Sequence, residues 1–129
     1  MTPPDTGPLG ILLLSGGHER AHYAFMLAAG AAAIGRRVVV FATNEGCQAL
    51  AADWHAIPDA ARDRAVIAAG VAGLDELREA AEALGVVLMA CESGLHMAGL
   101  TGMALLHGVQ VAGIPSFLSR VGTGQFISL

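Results

Sequence analysis

The residues of this 129-residue chain best suited to nucleophilic or metal chemistry are its two cysteines and five histidines. Cys91 follows the apolar run Val86 to Ala90 and precedes a stretch of helix formers that begins near Ser93. A sulfur placed between a strand end and a helix start lies at the positive end of the helix dipole, which favours the thiolate and so makes a nucleophile. Glu92 opposes that effect, and His96 supports it if its ring turns back. The alternative is a buried small apolar residue, as free cysteine often is, and position alone does not separate the two. Cys47 has no comparable flank and reads as a packing residue, with a resolving thiol as the alternative.

The segment His18-Glu19-Arg20-Ala21-His22 satisfies the H-E-x-x-H pattern, in which two His one helical turn apart hold zinc and the Glu acts as base. Its context argues otherwise. The pattern sits in a Gly-Gly turn at the very start of a helix, no third ligand follows at a family spacing, and so small a domain has no room for a protease cleft. A looser zinc site from His18, His22, Cys47 and Cys91 is the metal alternative. The preferred reading holds no metal and takes these histidines as polar residues lining a pocket or a subunit contact. Ser15, Gly16 and Gly17 before a helix are suited to cradling an anion, but they form neither G-x-G-x-x-G nor a P-loop. His55 and His107 read as solvated or packing side chains, and Trp54 as a hydrophobic anchor.

Positioning these residues falls to an alternation of short apolar runs and helical segments. Leu9 to Leu14, Val38 to Ala42, Val86 to Ala90, Val109 to Ile114 and Gln125 to Leu129 read as strands. Between them, helices are expected over Glu19 to Ile34, Cys47 to Asp53, Leu74 to Leu84, Leu95 to Leu106 and Ser116 to Val121. Trp54 to Val71 is an irregular excursion with some helix, of a length that often serves as a lid. Such alternation predicts right-handed βαβ units and a three-layer α/β/α domain on a mostly parallel five-stranded sheet. In an open parallel sheet, ligands collect beyond the carboxyl ends of the strands. Those ends carry Ser15 to His18, Thr43 to Cys47, Cys91 to Gly94, and Pro115 with Ser116.

Composition narrows the function classes. A hydrophobic content of 54% against 14% charge supplies one core, and residues 9–129 are expected to form a single domain behind a flexible leader, 1–8. The chain has no Lys, and its seven Arg against eleven acidic residues leave a net charge of −4, so no basic stripe exists to track nucleic acid. No apolar stretch approaches the ~20 residues that span a bilayer, and the start lacks a secretory signal, which makes the cytoplasm the expected location. The helix from Glu19 to Ile34 is apolar nearly all round, which implies a second burial surface beyond the sheet and hence self-association.

The segments SGGHERAHYAFMLAAGAAAIGRRVVVFAT, LGVVLMACESGLHMAGL and HGVQVAGIPSFLSRVGTGQFISL resemble the DsrE/DsrF-like family of small sulfur-transfer proteins. The shared steps are Ala90-Cys91, Met97-Ala98-Gly99, Gly108-Val109, Ala112-Gly113 and Phe117. The resemblance implies that Cys91 accepts sulfane sulfur as a persulfide from a donor such as a TusA-like or rhodanese-like protein, without a cofactor. It also implies a homotrimer, or a hexamer built from trimers. The expected site is therefore Cys91 with a pocket of Ser15, Gly16, Gly17, His18, His22, Ser93 and His96. The competing expectation is a non-catalytic binding or assembly module of the same fold, or a small-molecule or metal-binding protein using the same sheet edge.

Overall fold

Parallel strands cannot be joined by hairpins, so each must be linked to the next by a crossover that returns the chain to the same end of the sheet. In the computed structural model, which describes residues 7–129, the strands are β1 (Leu9–Leu13), β2 (Val38–Ala42), β3 (Val87–Cys91), β4 (Gln110–Ala112) and β5 (Gln125–Ser128). They pair in the order β4-β3-β2-β1-β5, parallel throughout. The helices are α1 (His18–Ala33), α2 (Arg62–Ala68), α3 (Leu74–Ala83), α4 (Glu92–Met97) and α5 (Ile114–Val121), with a 3₁₀ helix over Asn44–Leu50. Residues 1–6 of the expected leader lie outside the described residues, while Pro8 accepts a hydrogen bond from the Gln125 N–H at 3.0 Å. Among the described residues no helix is long and apolar enough to cross a membrane.

The strand order determines the layers. From β1 to β4 the chain steps in one direction across the sheet, and from β4 to β5 it returns over the full width. Right-handed crossovers in opposite directions leave their helices on opposite faces. The first face therefore carries α1, α3 and the 3₁₀ helix, packed on Leu9, Ile11, Leu13, Val38, Val40, Ala42, Leu88 and Ala90. The second face carries α5 alone, whose Phe117 and Val121 cover Val39, Phe41, Met89 and Cys91. Phe41 and Phe117 stack at 4.9 Å between centroids. Helix α5 comes this close because β1 carries Gly10, where a Cβ would stand 2.5 Å from Val121 Cγ2.

Three expected elements are corrected. The helix Leu95 to Leu106 is only Glu92–Met97, because Gly99 and Gly102 turn to φ of 70° and 87°. The residues beyond them pair with the end of the 3₁₀ helix instead: the Ala52 N–H donates to the Ala104 carbonyl and the Leu106 N–H to the Leu50 carbonyl, each at 2.8 Å. That bridge draws off Ala51 and Ala52, so the expected helix Cys47 to Asp53 is replaced by the earlier 3₁₀ turn. The strand Val109 to Ile114 shortens to Gln110–Ala112, since Pro115 favours the first turn of α5.

The excursion from Trp54 to Val71 is tied to the first-face helices by buried polar groups. Asp63 accepts from His18 Nε2 at 2.8 Å and from the Leu74 N–H at 2.9 Å, joining α1, α2 and the start of α3. Trp54 is buried and donates Nε1–H to Asp75 at 2.7 Å. Arg78 is buried too and donates to the carbonyls of Ala49, Ala51 and Ala52. Burial works to raise the Asp63 carboxyl, but the hydrogen bonds from His18 and Leu74 outweigh it and hold the group below its ordinary value. Asp63→Ala leaves two buried donors unpaired and is expected to destabilise the fold by about 2–4 kcal/mol in urea unfolding. Because the folded value is lowered, this stabilisation is complete above about pH 4 and is lost as the pH falls through the folded value. Asp63→Asn should flatten that acid-side loss, and an unchanged acid limb in the variant would assign it to other carboxylates.

Candidate functional site

Cys91 closes β3 and is at the same time the N-cap of α4, with φ −69° and ψ 120°. Its Sγ accepts the Gly94 N–H at 3.3 Å, so the sulfur takes the place that a Ser or Asp oxygen usually fills at a helix start. Gly94 makes the geometry possible: a Cβ there would collide with the backbone of Asn44 and the Thr43 hydroxyl in the loop after β2. Alternation along β3 turns the Cys91 side chain to the second face, into the cluster of Met89, Phe41 and Phe117. Its register partner on β4 is Ala112, and α5 starts just past it at Ile114. Cys91 is 8% exposed, at the rim of this cluster.

Cys47 lies in the 3₁₀ helix, fully buried in the first-face core, and its thiol donates to the Ala42 carbonyl at 3.4 Å. Burial pushes this thiol up to about 11, with hydrogen bonding to the Cys91 backbone acting in the opposite direction. It therefore remains a protonated packing group at neutral pH.

The remaining expected site residues divide into three places. His18 and His22 point into the first-face core, on the other side of the sheet from the Cys91 sulfur. Arg62 donates to His18 Nδ1 at 3.2 Å, so the ring proton is assigned to Nε2, which donates to Asp63. His22 Nε2 donates to the Ala72 carbonyl at 2.8 Å, and the two imidazoles stack at 5.6 Å. Both histidines of the H-E-x-x-H pattern are thus engaged by α1's neighbours. Among the described residues no three His, Cys, Asp or Glu are grouped to hold a metal.

Ser15, Gly16 and Gly17 form the turn after β1. Ser15 accepts from Arg20 at 3.2 Å, and Gly16 lies against Glu45. The loop after β2 stands between this turn and Cys91, and the strand order separates the two by roughly 10 Å. Ser93 is exposed on the first turn of α4. The exposed His96 ring turns to Thr101, 3.2 Å from its hydroxyl, rather than back to Cys91. The structure thus brings Ser93 and Gly94 to the cysteine and leaves the histidines elsewhere. The pattern of the chain placed Thr43 and Gly94 at strand ends but did not show that they meet, nor that Phe117 lies over the Cys91 cluster. A glycine in the first turn of a helix was the one signal that a close backbone approach was needed.

Among curated proteins no sequence matches this chain. Among solved structures, the crystal structure of the ychN protein from E. coli superposes with a TM-score of 0.70 at 12% identity, over 95% of this chain and 99% of that one. At that identity the likeness is one of fold. The family model described as the DsrE/DsrF-like family matches residues 9–126, from the start of β1 into β5. A match over that span, on a five-stranded parallel sheet whose third strand ends in Cys91, places the chain in the DsrE/DsrF-like family.

Proposed function

We propose that the protein is a sulfur carrier that holds sulfane sulfur as a persulfide on Cys91 between a donor and an acceptor protein, of TusA-like or rhodanese-like kind. The observation that carries this reading is the place of Cys91 at the end of β3 and the start of α4, at the rim of its cluster, where its sulfur accepts the Gly94 N–H. In the transfer, the Cys91 thiolate attacks the outer sulfur of the donor persulfide. One S–S bond forms, the donor S–S bond breaks, and the donor cysteine leaves as a thiolate, with no net oxidation. Delivery is the same step in reverse towards an acceptor thiolate. The added sulfur extends about 2 Å beyond Sγ. A reducing compartment such as the cytoplasm keeps both cysteines free for this chemistry.

Self-association belongs to the same reading, as a homotrimer or a hexamer of trimers. Tyr23 and Met26 on α1 and Ile114 and Leu118 on α5 are exposed apolar side chains on both faces, with Val111 and Phe126 exposed on the edge strands. A surface of this kind is costly to leave in water. The limited exposure of Cys91 favours a second reading, a binding or assembly module in which this cysteine is structural.

Three measurements test these readings. Incubation with polysulfide followed by intact mass analysis should add one sulfur, about 32 Da, to the wild type and to Cys47→Ala, and none to Cys91→Ala. Equal loading of Cys91→Ala would reassign the role to Cys47, and no loading of the wild type would favour the assembly module. Iodoacetamide at neutral pH should label Cys91 first, with Cys47 labelled only in denaturant, because its raised thiol value leaves almost no thiolate. Light scattering coupled to size exclusion should give three or six times the 13.1 kDa chain mass, and a mass of one chain at micromolar concentration would refute the assembly.

A further inference from the structure

Helix α1 buries one side against the sheet, α2 and α3 and leaves the other uncovered. Its outward positions are Tyr23, Met26, Gly30 and Ala33, continued by Ile34 just past its end. Tyr23 is 55% exposed and Ile34 77%. Between Arg20 and Arg36 the chain has no Asp, Glu, Lys or Arg, so this outer side is apolar over roughly 16 Å of helix. Between α1 and the edge strand β5 runs a groove of about 360 Å³, lined by Tyr23, Met26, Leu27 and Gly30 on one side and by Leu9 and Ile127 on the other.

Nothing within the subunit requires Gly30. It is not among the glycines of positive φ, and a Cβ placed there would meet no atom within 4 Å. Glycine weakens a helix interior relative to alanine, which fills most of the neighbouring positions. A glycine on an outward face makes room for a large side chain arriving from outside. Tyr23, two turns earlier on the same face, is such a side chain. Charge is divided along the helix as well, with Glu19 exposed in the first turn and Arg36 and Arg37 just past the last. A second α1 running antiparallel meets all of these features in one register. Tyr23 of each copy then lies over Gly30 of the other, Met26 lies against Leu27, and Glu19 comes above the Arg36-Arg37 turn. A parallel pair would bring like-charged ends together.

We propose that the outer face of α1 is a twofold contact between two copies of this chain, with Tyr23 of each closing over Gly30 of the other. The contact is isologous, the commonest kind in soluble oligomers, and it removes an exposed apolar face from water. It rests on the self-association put forward above and decides between its two forms, because a twofold contact joins two trimers into a hexamer. Three copies of the contact then act together, so each can be smaller than the interface of an isolated dimer.

The test is light scattering coupled to size exclusion on the full chain, as wild type, Gly30→Glu and Tyr23→Glu, with far-UV circular dichroism of each. Both substitutions are outward-facing, and Glu is a better helix former than Gly, so the subunit should keep its helix content. The expected result is six chains in the wild type and three in each variant, a twofold loss of mass; two chains falling to one would support the contact equally. A wild-type mass of three chains overturns it and leaves the face to a different protein. Retention of the wild-type mass in both variants overturns it while the assembly stands. A wild-type mass of one chain overturns contact and assembly together. Sulfur loading of Cys91 is read by intact mass on the same samples, so failure of the contact is distinguishable from failure of the carrier reading.

Discussion

One topological constraint underlies most of this structure: five parallel strands are threaded so that three crossovers run in one direction and the last runs back. Handedness then puts α1, α3 and the 3₁₀ helix on one face and leaves the other to α5. The faces are unequal. The first is a deep core with Phe25, Leu50, Trp54 and Leu74 buried in it, while the second is thin and holds Phe117 and Val121 over Val39, Phe41, Met89 and Cys91. Strand alternation turns Cys91 to the second face, whereas Cys47, on the 3₁₀ helix, packs into the first, and the two differ in chemistry. Cys47 is sealed in the deep core as a neutral thiol, and Cys91 reaches the rim of the thin one.

The deep face depends on polar ties to hold an irregular segment against apolar helices. Asp63 satisfies His18 and the first free N–H of α3, His22 satisfies the Ala72 carbonyl, and Arg78 gathers the carbonyls left open where the 3₁₀ helix ends. Each tie meets a backbone or ring group that water cannot reach, which is why charged side chains occur inside a chain with so little charge. The excursion that resembles a lid in sequence is consequently a fixed part of the wall. A pattern with the spacing of a zinc site has been put to the same use, since its two imidazoles are committed to Asp63 and Ala72.

The two poles of the sheet also differ. At the carboxyl pole, helix starts present N–H groups, and the Cys91 sulfur accepts one of them. At the amino pole, helix ends present carbonyls, and Arg36, Arg37 and Arg120 collect around a cavity there. The β3 strand joins the two regions, with Val87 at one and Cys91 at the other.

The fold class, the five strands, the return to the sheet after each helix, and Cys91 at a strand end were all legible from the sequence. They depend on local apolar runs, glycine stops and alternation, which are properties of consecutive residues. Trp54 as an anchor and Cys47 as a packing residue agree with their burial in the first-face core. Only the tertiary structure decided where α4 ends, since the competing bridge comes from Leu50 to Ala52, some fifty residues earlier in the chain. It alone separated His18 and His22 from Cys91, because all three lie at one edge of the sheet and both the strand order and the facing of each side chain set them apart. The partners of Asp63 and of Gly94 were likewise beyond the sequence. Their roles come from partners distant along the chain, and nothing in neighbouring residues encodes which groups a crossover will bring together.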